Sequence, residues 1–199
     1  MDIVVASAAL VVLSPLIVAI ALALLATSGR PILFRHRRPG LAGAPFTLCK
    51  FRTMRPPAPG EETWTTDEKR LTRLGQFLRR TSLDELPELV HVVSGRMSLV
   101  GPRPLLMEYL PRYRREHARR HEVKPGITGL AQVSGRRSLT LGQRLDLDVR
   151  YVDTWSLALD LKILIRTVAE PFKCGDIRGQ TIAEVDDVNL FTPTQERVG

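Results

Sequence analysis

Residues 3–26 read IVVASAALVVLSPLIVAIALALLA, 24 positions of which 21 are apolar and none is charged, the exceptions being Ser7, Ser14 and Pro15. A straight helix of that length is about 36 Å long, enough to cross a hydrocarbon core of about 30 Å. Pro15 complicates the reading, because it removes a backbone donor and clashes with the carbonyl four residues back, which kinks or breaks a helix. Two half-helices of about 11 residues reach only about 17 Å each, roughly one leaflet. Proline is tolerated in a true span when neighbours satisfy the freed backbone, so span and re-entrant hairpin both stay open on physics alone. A secretory signal needs a basic start, whereas the only charged side chain ahead of the run is Asp2. Arg30, Arg35, Arg37 and Arg38 follow closely, and positive flanks place the rest of the chain on the cytoplasmic side.

Outside this run the chain is polar and basic. The full sequence has 199 residues, 29 Lys plus Arg against 21 Asp plus Glu and a net charge of +8. Setting the apolar run aside leaves about 38% apolar residues and every charge on the other 175 positions. That suffices for one domain with a modest core and offers little to bury an all-round apolar helix, which argues against a plain soluble enzyme. Two cysteines, Cys49 and Cys174, are far apart and form no C-x-x-C pair, so neither a disulfide framework nor a thiolate zinc site is expected. His117 and His121 are four apart, but Arg119 and Arg120 between them repel a cation, so a solvated basic face is expected there.

Residues 31–54 mix β-prone pieces with Gly and Pro, predicting a small strand region, and the proline-rich stretch 55–66 reads as a loop. Leu71, Leu74, Phe77 and Leu78 recur at helical spacing among basic residues, predicting an amphipathic basic helix over 67–80. Residues 104–122 read as helical apart from Pro111, with Arg112, Arg114, Arg115, Arg119 and Arg120 making one face cationic. A last stripe, Leu157, Leu161, Leu164, Ile165 and Val168 with Trp155 at its edge, suits either a membrane interface or a core helix. After Cys174 periodicity is lost, predicting a polar tail.

Arginine supplies 24 of the 29 cations, and guanidinium grips phosphate bidentately. One constellation sets two arginines before adjacent carboxylates: Arg79-Arg80-Thr81-Ser82-Leu83-Asp84-Glu85-Leu86-Pro87-Glu88. Ser82 with Glu85 fits a capping box, whereas Pro87, acceptable only in a first turn, favours a start with Asp84 at the N-cap. Either way the carboxylates are expected to stay ionised. An ionised carboxylate needs no general base to attack phosphorus; it needs cations that cancel its repulsion with phosphate. Asp84 and Glu85 with a diphosphate oxygen would also suit Mg²⁺, which takes hard oxygen ligands. A second constellation is three Gly and Pro loops with embedded cations: Gly101-Pro102-Arg103-Pro104, Lys124-Pro125-Gly126-Ile127-Thr128-Gly129 and Gln132-Val133-Ser134-Gly135-Arg136-Arg137. They read either as a diphosphate-binding surface or as well-fixed turns.

In these motifs the chain resembles the bacterial sugar transferases, the small monotopic polyprenyl-phosphate phosphoglycosyl transferases. The likeness runs in order through Leu13-Ser14-Pro15, Lys50-Phe51-Arg52-Thr53-Met54, Ser82 to Pro87, Met97 to Pro104, Lys124 to Gly129, Gln132 to Arg136 and Leu159 to Ile163. The resemblance implies transfer of a phosphosugar from a UDP-sugar to a polyprenyl phosphate such as undecaprenyl phosphate, releasing UMP and initiating glycan assembly, with downstream glycosyltransferases as partners. It implies Asp84 as the nucleophile that forms an aspartyl phosphosugar, and Glu85 as the residue that helps hold Mg²⁺. Arg79, Arg103 and Arg136 are implied at the substrate phosphates, and Lys50, Thr128 and Gln132 as substrate-loop residues. It also implies that Ser14-Pro15 breaks a re-entrant helix in the bacterial inner membrane, with both ends on the cytoplasmic face. The expected fold is therefore mainly α with a few short strands: a membrane helix-break-helix at 1–29, a small cytoplasmic catalytic domain with amphipathic interface helices at 30–178, and a tail at 179–199. Arg96 and His91 depart from the pattern, standing where Asp and Asn are usual. A membrane-tethered nucleic-acid-binding module is the rival reading of the +8 charge, but only 6% of residues are aromatic and no nucleic-acid motif occurs, so no nucleic-acid partner is expected. A non-catalytic scaffold is the other, against which the intact Asp84-Glu85 pair argues.

Overall fold

The apolar run forms α1 (Asp2–Ser28) in a computed structural model that describes residues 1–59, 67–135 and 139–169. Helix α1 continues through Pro15 without interruption, so the expected break becomes a proline inside one helical element. The reason lies one residue earlier. Pro15 has no N–H for the Val11 carbonyl, and the Ser14 hydroxyl donates to that carbonyl at 2.8 Å instead, the repair by which serine lets proline sit in an apolar helix.

Ala6, Leu10, Leu13, Ile17, Ile20 and Leu24, spaced alternately four and three apart, turn one stripe of α1 toward the rest of the chain. Val4, Val11, Val12, Val18 and Leu22 on the other side are exposed. Both ends of the helix are tied to the same body. At the start the Asp2 carboxylate accepts from Ser98 Oγ and from the Leu99 N–H at 3.2 Å. At the finish the Arg52 guanidinium donates to the Ser28 carbonyl and to that of Gly29 at 2.8 Å.

The body begins with an antiparallel hairpin, β1 (Leu33–Pro39) and β2 (Pro45–Phe51), in register from Leu33 opposite Phe51 to Pro39 opposite Pro45. This is the strand region that the Gly and Pro punctuation predicts. The basic helix is shorter than expected and split into α2 (Asp67–Arg70) and α3 (Arg73–Thr81). Leu71 instead bridges Met54 as in a strand, and Thr72 caps α3 by accepting from the Gly75 N–H at 2.9 Å. A 3₁₀ segment (Leu83–Glu88) leads into α4 (Leu89–Val93). Two short parallel strands follow, β3 (Ser98–Val100) and β4 (Gly126–Thr128).

Residues 104–122 depart from the expected helix. They form a 3₁₀ turn at Met107–Arg112, one turn of helix α5 (Arg115–Ala118) and a 3₁₀ turn at Arg119–Glu122. Nor is their cationic pattern simply solvated: Arg120 is 2% exposed and paired with Asp148, itself 3% exposed. His117 is buried as well, with Nε2 at 3.2 Å from Asp146 Oδ1. The chain ends in α6 (Leu130–Gly135), α7 (Leu141–Thr154) and α8 (Leu157–Ala169). Helix α7 opens with a capping box in which Thr140 and Gln143 satisfy each other's backbone N–H.

Three apolar clusters hold these parts together. One gathers Ala6, Leu48, Leu89, Val92, Met97 and Ile163; the second gathers Ile20, Leu24, Phe51 and Leu78; the third joins Leu106 and Tyr109 to Leu141 and Leu145. Helix α8 is apolar toward the core, through the buried Ile163, and apolar outward as well. Its Asp160 is buried, accepting from Tyr151 Oη at 2.7 Å and Trp155 Nε1 at 3.2 Å, while Leu157, Leu161, Ile165 and Val168 are 57–73% exposed. The tail at 179–199 lies outside the described residues.

Candidate active site

Helix α3 stops at Thr81 because Ser82 takes the left-handed conformation, φ 58°. That joint turns the chain into the 3₁₀ segment, where Pro87 is accommodated near the start of α4. Neither expected cap forms: Ser82 makes no side-chain capping bond, and the turn is closed by the Glu85 N–H donating to the Ser82 carbonyl at 3.2 Å.

The turn brings Asp84, Glu85 and Glu88 against cations from distant parts of the chain. Lys50, at the end of β2, sets its Nζ 2.7 Å from Glu85 Oε1 and 2.9 Å from Glu88 Oε1. Arg103, in the loop after β3, approaches Glu85 with Nη2 at 2.5 Å from Oε1 and Nη1 at 3.4 Å from Oε2. Its side chain remains 42% exposed. Arg79 is held from α3 by its Nε donating to Thr53 Oγ1 at 2.9 Å. Behind the loop, Arg120 Nη2 donates to the Arg103 carbonyl at 2.6 Å, fixing the backbone that carries Arg103.

The two adjacent carboxylates have been separated in character. Burial pushes Glu85 up, but the charges and hydrogen bonds of Arg103 and Lys50 outweigh it and hold the group down at about 2. Asp84 is only 8% exposed and accepts no hydrogen bond among the described residues. Burial, then the Glu85 charge, raises its pKa above the ordinary carboxylate value, against the opposing pull of Lys50, Arg103 and Arg79. Glu88 is raised by burial too. The expectation that both members of the pair are held firmly ionised thus holds for Glu85, and Asp84 is shifted the other way. A carboxylate with unengaged oxygens inside a ring of cations is suited to attack an electrophilic phosphorus.

The structure brings Asp84, Glu85, Lys50, Arg79 and Arg103 into this arrangement. Thr128 instead meets α8, with Oγ1 2.7 Å from Thr167 Oγ1, and Gln132 Nε2 donates to the Ile127 carbonyl at 3.0 Å. Arg136 lies outside the described residues. The first two glycine loops are tied to each other: the Gly101 N–H donates to Thr128 O at 2.8 Å and the Gly126 N–H to Pro102 O at 3.0 Å. A Cβ on Gly126 would fall 2.1 Å from Gly101 N, so close backbone approach dictates these glycines. His91 accepts the Cys49 N–H at 3.1 Å and Arg96 bonds Ser94, so neither departure from the family pattern touches Asp84 or Glu85. Two cations that local sequence reading passes over, Arg38 and Arg144, lie within electrostatic range of Arg103. Burial first, and then that guanidinium, lower the pKa of each.

A metal here would find hard oxygen donors in Asp84 and Glu85. Both Glu85 oxygens are engaged, and among the described residues no group of three or more His, Cys, Asp or Glu stands close enough to enclose an ion. The donor set therefore fits an ion that takes much of its shell from water and substrate, as Mg²⁺ does.

An enclosed carboxylate set among cations has the charge pattern of a phosphoryl-transfer class of site. The bacterial sugar transferase family model matches residues 1–174, and the chain belongs to that family. It is 56% identical over 140 residues to the uncharacterized sugar transferase EpsL of Bacillus subtilis, covering 70% of this chain and 69% of that one. It is 44% identical over 178 residues to the UDP-glucose:undecaprenyl-phosphate glucose-1-phosphate transferase of Caulobacter vibrioides, covering 84% and 67%. The protein of that name from Klebsiella pneumoniae is 42% identical over 181 residues, covering 86% of this chain but 39% of the longer relative.

Proposed function

We propose that the protein transfers a sugar 1-phosphate from a UDP-sugar to a polyprenyl phosphate, undecaprenyl phosphate by analogy with the named relatives, through a covalent intermediate on Asp84. The observation that carries this reading is the unengaged, buried Asp84 carboxylate within the field of Lys50, Arg79 and Arg103. An Asp84 oxygen attacks the sugar-bearing phosphorus, a P–O bond to the nucleoside monophosphate breaks, and UMP leaves as the anion. An oxygen of the polyprenyl phosphate then attacks the same phosphorus, breaking the bond to Asp84 and restoring its carboxylate. Arg103 and Arg79, with Arg38 and Arg144 nearby, offset the negative charge of donor and acceptor phosphates. Glu85 keeps Arg103 and Lys50 in place. Mg²⁺, held by Asp84 and Glu85 with substrate oxygens, would add charge neutralisation at the diphosphate.

We also propose that the protein sits on the cytoplasmic face of the inner membrane, with α1 entering and leaving the lipid on one side. In support, both ends of α1 are hydrogen-bonded to the same domain, while its outer face and the exposed stripe of α8 are apolar. Such a seat lets a soluble nucleotide sugar and a lipid phosphate reach one carboxylate.

The test is UMP release from a panel of UDP-sugars, UDP-glucose first, with and without polyprenyl phosphate and Mg²⁺, beside Asp84→Asn. Sustained release that needs all components, at most one UMP per protein when polyprenyl phosphate is left out, a sugar-phosphate mass adduct on Asp84 and a folded, inactive variant are expected. Normal turnover by Asp84→Asn would remove the nucleophile assignment. No release from any UDP-sugar, together with salt-dependent nanomolar binding to duplex DNA or RNA, would favour the nucleic-acid reading.

A further inference from the structure

Between α6, α7 and α8 lies an open cavity of about 480 Å³. None of its lining residues belongs to the Asp84 cluster. Three cations edge it, Arg150 from α7 and Lys162 and Arg166 from α8, above a floor that includes Leu130, Leu147 and Ile163. Among the described residues none of the three cations forms an ion pair or a side-chain hydrogen bond. Lys50, Arg103 and Arg120, by contrast, each have a carboxylate within ion-pair distance.

Helix spacing fixes where these cations stand. Leu157, Leu161, Ile165 and Val168 form the outward apolar stripe of α8. Lys162 and Arg166 each follow a stripe residue by one position, about 100° around the helix, and are four apart, so they run in parallel along the stripe's flank. The cavity's charged edge therefore borders the apolar surface of α8 along its length. A ligand that matches both carries a phosphate anion joined directly to hydrocarbon.

We propose that this cavity binds the phosphate headgroup of an acidic phospholipid of the bilayer, its acyl chains lying along the Leu157 to Val168 stripe. The inference rests on the membrane seat proposed above for α8. A free phosphate would leave the apolar floor and stripe unmatched. The lipid substrate, for its part, must deliver its phosphate to Asp84, whose neighbours do not line this cavity. The site gives the protein a lipid-composition dependence separate from its substrate site.

The test is native mass spectrometry of the full chain in neutral detergent with dioctanoyl phosphatidylglycerol, dioctanoyl phosphatidylcholine or inorganic phosphate. Phosphatidylglycerol is expected at tenfold or higher occupancy over phosphatidylcholine at equal concentration, in wild type and in Asp84→Asn alike. The combined Arg150→Gln, Lys162→Gln and Arg166→Gln variant loses that preference. A charge-matched control, Arg35→Gln, Arg37→Gln and Arg115→Gln, keeps it, and near-UV circular dichroism shows both variants folded. Equal occupancy by the two lipids, equal loss in both triple variants, or inorganic phosphate binding as tightly as phosphatidylglycerol would each overturn the site. Displacement of phosphatidylglycerol by equimolar polyprenyl phosphate would reassign it to the substrate. UMP release without a lipid preference overturns this site alone, whereas lipid preference without UMP release overturns the transferase reading alone.

Discussion

Replacing Arg120 by Met isolates the contact that holds the active-site loop from behind. Arg120 Nε and Nη2 donate to Asp148 Oδ2 at 3.0 and 2.7 Å, Nη1 to Tyr113 Oη at 3.0 Å, and Nη2 to the Arg103 carbonyl at 2.6 Å. Asp148, whose pKa burial already raises against the pull of Arg120, is left without its counter-ion in Arg120→Met. Breaking a buried pair on one side costs about 3–5 kcal/mol. For a chain of this size each kcal/mol shifts the melting temperature by about 2–4 °C, so the apparent Tm falls by roughly 6–20 °C. In Arg120→Met/Asp148→Leu both members of the buried pair are removed together, and more than half of the loss returns. The bond to the Arg103 carbonyl stays broken in both variants, and hydrogen bonds to charged groups are worth about 1.5–3 kcal/mol. UMP release at 20 °C is therefore depressed about tenfold or more even in the restabilised double variant. Differential scanning fluorimetry at one scan rate, with the release assay beside it, reads both quantities. A single variant within 2 °C of wild type, or a double variant no more stable than the single, refutes the argument.

Three further outcomes follow from the same groups. Because the Asp84 pKa is raised and in the proposed mechanism the deprotonated form attacks, activity falls on acidification at a pH above the ordinary carboxylate range. Lys50 is the strongest influence pulling that pKa down, so Lys50→Met moves the acid limb of the rate profile to higher pH, and superimposable profiles would refute this. Glu85 is depressed to about 2 from an ordinary 4.5, so its contribution to stability, roughly 3 kcal/mol, is present above pH 4.5 and lost between pH 4.5 and 2. Denaturant titration of Glu85→Gln should show a flatter pH dependence there, and an unchanged slope would count against the pairing. Leu161→Asp and Ile165→Asp alter side chains that touch little protein, so Tm in detergent stays within about 2 °C while partition onto anionic vesicles falls at least tenfold; undiminished partition would remove α8 from the membrane seat.

What the sequence reveals depends on how far apart the interacting residues lie along the chain. The hairpin is legible in its β-prone pieces and Gly-Pro punctuation, and α3 in its apolar spacing, although the Met54 bridge that takes Leu71 out of the helix is not. Helix α7 carries a local sign of its start, Thr140 and Gln143 three apart, because a capping box is made entirely within one turn. Residues 104–122 mislead because Arg120 is neutralised by Asp148, 28 positions away, and a cationic run with a distant buried partner looks the same as one in solvent. In the site, Asp84, Glu85 and Arg79 are legible together because they share one short segment. Arg103, 18 positions from Glu85, is visible as the cation of a Gly-Pro loop but its partner is not; Lys50, 35 positions away, enters through family likeness, and Arg38 and Arg144 join the site through the fold alone. The glycine loops are visible as glycines, but only the packing of residue 101 against residues 126–129 shows that close chain approach leaves no room for a side chain there.

Helix α1 contributes side chains to two of the three apolar clusters, Ala6 to the one with Leu48 and Leu89, and Ile20 and Leu24 to the one with Phe51 and Leu78. Leu89 directly follows the turn that carries Asp84, and Leu78 lies one residue before Arg79. In the membrane seat proposed for the protein, the elevation of Asp84 above the lipid surface is therefore set by how α1 packs into the folded core. A lipid phosphate meets the carboxylate only at that height over the leaflet that α1 enters, because the reaction height travels with α1.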